Sequence, residues 1–265
     1  MIEKIQHRGL SSDEGQNKPN SFEGLSGSAP LEMDVFLLKD GTLAVIHNKD
    51  FNLSQEEVEN LTLPELEKLQ VPSRTGGAEG EVPLFKEALL NSLDRGNELF
   101  VEIKASSPAA AEKVADKLVA QIAELSREDK TFAAHPEYLS QVNLHSFSIE
   151  ALEAAQEAMV REGVAVPRGL FWPSTPERAN DMSISATSLE RSGYQEGEDW
   201  TAAGLLMARQ LGVEAIDLQS GTITPGVVSQ AREYGLQIVA WVVNHNDEKI
   251  KELEALGVDK VLTED

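Results

Sequence analysis

Short runs of apolar and β-branched residues recur along the 265-residue chain, and most are followed by a longer stretch whose apolar positions return every three or four residues. The first kind of run carries the signature of a strand, the second that of an amphipathic helix with one buried stripe. Strands are predicted over residues 2–7, 31–36, 99–104, 141–146, 168–172, 214–218, 237–243 and 259–263. A further run, 43–47, follows the second strand through Lys39-Asp40-Gly41, a turn signal, and is expected to pair with it as a hairpin. Helical stripes fill the gaps at 83–95, 108–125, 149–162, 201–211, 225–234 and 247–256.

Eight strands separated by helices favour one closed parallel barrel over an open doubly wound sheet. Two helix ends repeat the same grammar, Leu211-Gly212-Val213 and Leu256-Gly257-Val258, in which glycine ends the helix and the next strand starts at once. Two stretches interrupt the alternation. Residues 51–81 contain one short helical segment around 63–69 and then a glycine-rich run, which reads as an excursion inserted into a single barrel domain spanning 1–265. Residues 173–200 form a long polar segment after the fifth strand, expected to shape the site rather than support the fold.

Composition then narrows the function. Forty-five acidic residues against 23 Lys and Arg give a net charge of -22, which argues against a general grip on nucleic acid and against anionic membrane surfaces. Any phosphate site must carry its own positive charge. No cysteine is present, so disulfides, zinc thiolates and cysteine nucleophiles are excluded. No basic-then-apolar leader and no long apolar run occur, and the expectation is a soluble, cytoplasmic protein without stable membrane insertion.

Side chains two apart on a strand share a face. Glu32 and Asp34 therefore project together, as do Glu102 and Lys104 on the next barrel strand. Charges at such positions need partners. Two arrangements satisfy them: an all-oxygen site for Mg²⁺ or Ca²⁺, or an ion-pair network with Lys104 or Arg8. His7 and His47 fall at neighbouring strand ends, where histidine can move protons near neutral pH. Arg8 offers a planar fork for phosphate, and Gly9 lets backbone approach closely. His135 and His245 read as surface residues and His145 as a packing residue. The absence of HExxH, GxSxG and GxxxxGK disfavours zinc peptidases, serine hydrolases and P-loop NTPases.

His7-Arg8-Gly9, Glu32-x-Asp34-Val35, Lys39-Asp40-Gly41, Ile46-His47, Glu102-Ile103-Lys104, Ser146-Phe147, Trp241-x-x-Asn244 and Gly257-Val258-Asp259 with Thr263 follow one another in an order that resembles glycerophosphodiester phosphodiesterases. The resemblance implies a TIM-type (β/α)8 barrel with a small insertion after the second strand region. It implies hydrolysis of a small-molecule glycerophosphodiester to glycerol 3-phosphate and an alcohol. It also implies one divalent cation, Mg²⁺ or Ca²⁺, on Glu32, Asp34 and Glu102, catalytic His7 and His47, phosphate contacts from Arg8 and Lys104, and an aromatic wall of Phe147 and Trp241. Because the C2 hydroxyl of such a substrate is a close internal nucleophile, His47 is expected to deprotonate it, or a water in its place, and His7 to protonate the leaving alcohol. The chain departs from the family in having Pro19-Asn20-Ser21-Phe22 for Pro-Glu-Asn-Thr, Asn48 for an aspartate after the second histidine, and Thr263-Glu264-Asp265 for a terminal Thr-Asp. A lysophospholipase D-like enzyme and a non-catalytic phosphodiester-binding barrel are the alternative readings.

Overall fold

The computed structural model describes residues 1–9, 29–69, 82–179, 190–244 and 246–264. Its strands are β1 (Glu3–Gln6), β2 (Leu31–Leu37), β3 (Leu43–Val45), β4 (Leu99–Ile103), β5 (Val142–Ser146), β6 (Arg168–Trp172), β7 (Ala215–Gln219), β8 (Gln237–Trp241) and β9 (Lys260–Thr263). All pair in parallel except β3, which runs antiparallel to β2 with Val35 opposite Val45. The ring closes where β1 meets β9 along Glu3↔Lys260 to Gln6↔Thr263 and meets β2 at Gln6↔Leu31. The expected barrel and its hairpin are both present.

The alternation within each strand decides which way a side chain faces. Leu31, Met33 and Val35 of β2, and Leu99, Val101 and Ile103 of β4, point outward into one apolar cluster with the helices α3 (Phe85–Asp94) and α4 (Pro108–Glu128). Burying such side chains is worth about 1.5–3 kcal/mol each, so the outward faces hold the barrel and its jacket together. The residues between them point inward. Ile5, Phe100, Ala215, Val239 and Leu262 fill the lower interior. Glu32 pairs in register with Phe100, and Asp34 and Glu102 lie one inward position further toward the carboxyl ends of their strands.

The excursion differs from its expected form. It holds two short helices, α1 (Gln55–Glu59) and α2 (Leu63–Leu66), where the apolar pattern marked only the second. Helix α1 is started by a capping box, in which Ser54 Oγ accepts from the Glu57 N–H and Glu57 accepts from the Ser54 N–H. Val58 and Leu66 then pack on Phe36, Leu38, Ala44 and Ile46 of the hairpin, so the excursion rests on the barrel rim. Residues 70–81 lie outside the described residues.

The segment after β6 is also more anchored than expected. Trp172 and Trp200 stack at 4.4 Å, Trp172 Nε1–H donates to the Trp200 carbonyl, and Trp200 Nε1–H donates to the Pro173 carbonyl. Ala179 and Tyr194 join the outer apolar cluster on that side. The described ends of this segment therefore contribute to the core, while 180–189 lie outside the described residues. Among the described residues, no helix is long and apolar enough to cross a membrane.

Candidate active site

Parallel pairing sets Asp34 opposite Glu102, and Glu32 lies two residues earlier on the same inward face. One carboxylate oxygen from each of the three lies within 4.8 Å of the others, and all three residues are buried. Two cations reach them. Lys104 Nζ is 2.6 Å from Glu102 Oε1 and 3.1 Å from Asp34 Oδ1, and Arg8 Nε is 3.2 Å from Asp34 Oδ2. Arg8 stands at φ 56°, ψ 32°, a left-handed conformation that costs a non-glycine residue roughly 1–2 kcal/mol. That turn aims its backbone N–H at Glu32 Oε2, 2.8 Å away, while the guanidinium remains over Asp34.

Burial and these neighbours move the ionisation in opposite directions. Burial, with the nearby Asp34 and Glu102 charges, pushes Glu32 well above the usual carboxylate range, and burial also raises Glu102 despite Lys104 beside it. Burial would raise Asp34 too, but Lys104 and Arg8 outweigh it and hold that carboxyl far down. Burial alone would lower Lys104, but Glu102 and Asp34 overcome it and the ammonium is held more firmly than usual. The cluster is strained toward neutrality at Glu32, whose Oε1 is buried with no hydrogen-bond partner. An orphaned carboxylate oxygen among hard oxygen donors fits a divalent cation such as Mg²⁺ or Ca²⁺. The ion-pair network weighed from spacing is present as well, and it leaves that oxygen unsatisfied.

Each histidine has its own carboxylate. His7 Nδ1 lies 3.1 Å from Glu264 Oε1, and His47 Nδ1 lies 3.3 Å from Asp50 Oδ1. Asp50 is shared, since Arg8 Nη1 is 3.6 Å away. With Nδ1 tied, Nε2 is the atom left to face the site, and His7 Nε2 sits 3.9 Å from Glu32 Oε2. The Glu264 N–H donates to Asn244 Oδ1 and fixes that turn after β9. Neither Asp50 nor Glu264 was selected from sequence. The His47-x-x-Asp50 spacing was a usable signal, whereas Glu264 becomes His7's neighbour only because β9 closes beside β1.

Phe147 stacks on Phe171 at 4.8 Å and meets the edge of Trp241 at 5.9 Å, so the two aromatic residues named from sequence lie together, joined by Phe171, which sequence reasoning missed. A cavity of about 430 Å³, with Phe147 in its lining, opens from His47, Glu102 and Lys104 toward the excursion. His135 is exposed and stacks on Tyr138, as a surface residue would. His145 is more than packing: its Nδ1 lies 2.7 Å from Asp217 Oδ2, with both side chains 2% exposed. Burial raises the Asp217 carboxyl, and His145 partly offsets it. His245 and the 19–23 stretch lie outside the described residues.

The family described as "Glycerophosphoryl diester phosphodiesterase family" matches residues 7–265. The chain is 23% identical over 259 residues to bovine (Bos taurus) glycerophosphodiester phosphodiesterase 1, covering 94% of this chain and 73% of the relative. In fold it resembles an Oleispira antarctica phosphodiesterase solved with the product sn-glycerol-3-phosphate, with a TM-score of 0.68, 20% identity, and coverage of 100% and 93% of the two chains. A glycerophosphodiester phosphodiesterase from Agrobacterium tumefaciens is similar as well, at a TM-score of 0.64, 17% identity, and coverage of 100% and 96%.

Proposed function

The chain belongs to the glycerophosphoryl diester phosphodiesterase family, and from that premise we propose that its site hydrolyses glycerophosphodiesters to sn-glycerol 3-phosphate and an alcohol. Glu32, Asp34 and Glu102 would hold one divalent cation, Mg²⁺ or Ca²⁺, which offsets the negative charge of the phosphoryl group. Arg8 and Lys104 lie over the same carboxylates and can turn to the non-bridging oxygens of the diester.

The histidines divide the proton work. His7 Nδ1 lies against Glu264, and His47 Nδ1 lies against Asp50, which Arg8 also approaches. An imidazolium formed by taking a proton is less well supported at His47, where Arg8 competes for the same carboxylate. His47 in turn lines the cavity that opens toward the excursion. These two placements favour His7 as the base acting on the nucleophile and His47 as the acid serving the leaving alcohol, the reverse of the division expected from sequence. With the C2 hydroxyl as nucleophile, its oxygen displaces the alcohol, and water then opens the cyclic phosphate in a second step.

The observation that carries this reading is the convergence of three buried carboxylates with two cations and two carboxylate-backed histidines at one barrel mouth. The test is release of glycerol 3-phosphate from a panel of diesters, with and without chelator. Activity should vanish in chelator and return with Mg²⁺ or Ca²⁺. Full activity in excess chelator after exhaustive dialysis overturns the cation, and no release from any diester overturns the function.

A further inference from the structure

Three rings meet at one side of the barrel mouth: Phe147 stacks on Phe171, and both stand edge-on to Trp241. We infer that Trp200, on the outside of the barrel, is a positioning residue for this group, acting through the end of β6 on Phe171. The inference rests on the phosphodiester reading above, with the bound diester packed against these rings, and adds to it the residue that holds them in place.

Side chains alternate along β6. Leu170 and Trp172 face outward into the apolar cluster under the helices, so Phe171 between them faces the interior, in register with Asp217. The strand cannot turn one ring without turning the other, and Trp172 has little freedom to turn. Its ring stacks on Trp200 at 4.4 Å, and its N–H donates to the Trp200 carbonyl. The Trp200 N–H in turn donates to the carbonyl of Pro173, the residue at which the chain leaves β6. Trp172 is 1% exposed and Trp200 6%, so a rotation of either ring would strand a buried donor. Stacked rings tolerate a slide with little loss of contact, because dispersion has no preferred direction. The two N–H bonds are directional, and they are what fix the exit of β6 against the start of the helix Trp200–Leu211.

That helix carries a glycine at 204, an interior position where glycine is a poor helix former. The structure supplies the reason. A Cβ at 204 would stand 2.6 Å from Cγ and Cδ1 of Trp172. Gly204 is therefore the seat of the Trp172 ring, and its bare backbone lets the helix come close enough for Trp200 to reach the strand. At the opposite end of the helix, Arg168 of β6 donates to the Leu211 and Gly212 carbonyls. Helix and strand are fastened at both ends, and Phe171 adjoins the fastening nearer the mouth.

The test uses the full chain and the methyl diester of glycerol 3-phosphate. Trp200→Phe keeps a stacked ring and removes the N–H that Pro173 accepts. It should raise KM about fivefold and leave kcat within about twofold, because a shifted wall weakens ground state and transition state alike. In a Phe171→Ala background the same change should have no further effect on KM. Gly204→Ala drives a methyl group into the Trp172 ring and should raise KM in the same way. Should that variant fail to fold, the comparison of Trp200→Phe in the two backgrounds decides by itself. Leu253→Ala opens a cavity in the same outer cluster from another helix, and it should lower the melting temperature while leaving KM unchanged.

A Trp200→Phe protein with unchanged KM overturns the inference, whatever its melting temperature, because the indole pair then serves the fold alone. An equal rise of KM in Leu253→Ala overturns it as well, since the site would then answer to any loosening of the cluster. So does a further rise of KM when Trp200→Phe is added to Phe171→Ala. In each of these cases the phosphodiesterase reading stands. No turnover of this or any other glycerophosphodiester by the unaltered chain removes the reading and the inference together.

Discussion

Two groups of charged side chains are buried inside this barrel, and they behave differently. At the mouth, Glu32, Asp34 and Glu102 share Arg8 and Lys104, and Glu32 Oε1 remains without a partner. Beside it in the interior, His145 of β5, the in-register partner of Glu102, and Asp217 of β7 form a deep pair that meets at 2.7 Å, enclosed by Phe100 and Phe171. The deep pair is closed. Gly169 keeps it so: a Cβ there would sit 2.2 Å from the His145 ring. Burial and a charge partner are common to both groups, so neither feature alone marks a reacting site. What separates them is an unsatisfied ligand atom and, beside Glu102 and Lys104, an open cavity.

That contrast can be broken, beginning with the largest expected effect. Asp34→Asn removes the carboxylate that both cations share, and turnover should fall by at least about 10³-fold, with Mg²⁺ affinity lost in calorimetry. An active Asp34→Asn protein would mean the mouth is as structural as the deep pair. His47→Ala should cost roughly 10²–10⁴-fold on an alkyl diester, but far less on a p-nitrophenyl diester whose leaving group needs no proton. If His7→Ala shows that leaving-group dependence instead, the division of proton work proposed here is reversed.

Glu264→Gln should lower kcat by about 10–100-fold with KM nearly unchanged, as loss of a carboxylate partner behind a working side chain does. In a His7→Ala background the same change should have no further effect. An additive loss would place Glu264's influence somewhere other than His7. The smallest effect on turnover belongs to the deep pair. Asp217→Ala should destabilise the fold by about 3 kcal/mol, because it strands His145 in the interior, yet leave turnover per folded molecule within about twofold. Inactive but fully folded Asp217→Ala protein would erase the distinction between the two groups.

Most of the barrel was legible because its strands carry the alternation that the fold requires. Leu31, Met33 and Val35 are apolar and face the helices, whereas Glu32 and Asp34 break the pattern and face inward. The cluster was legible for the same reason, since a charge inside an otherwise apolar strand is conspicuous. Helix α1 escaped the apolar pattern because Val58 is its one buried residue, and its start is written in the Ser54-x-x-Glu57 box instead. The His145–Asp217 pair escaped because its partners are 72 residues apart and only the curvature of the closed sheet brings them together. The cavity beside His47 escaped for a related reason, because its walls lie on the loop after β4 and on the excursion, joined by Glu59.

The closing pair of strands has one more effect. His7 follows β1 and Glu264 follows β9, 257 positions apart, and their contact exists only when the ring is shut. On the ribosome, β1 emerges ahead of the other barrel strands and waits 257 positions before this carboxylate arrives. A partly synthesised chain can display both histidines, Arg8 and the carboxylates of β2, yet it lacks the group that orients His7. Competence for hydrolysis thus waits for β9, the last strand of the ring. Appearance of activity would time barrel closure more sharply than any spectroscopic signal of helix content.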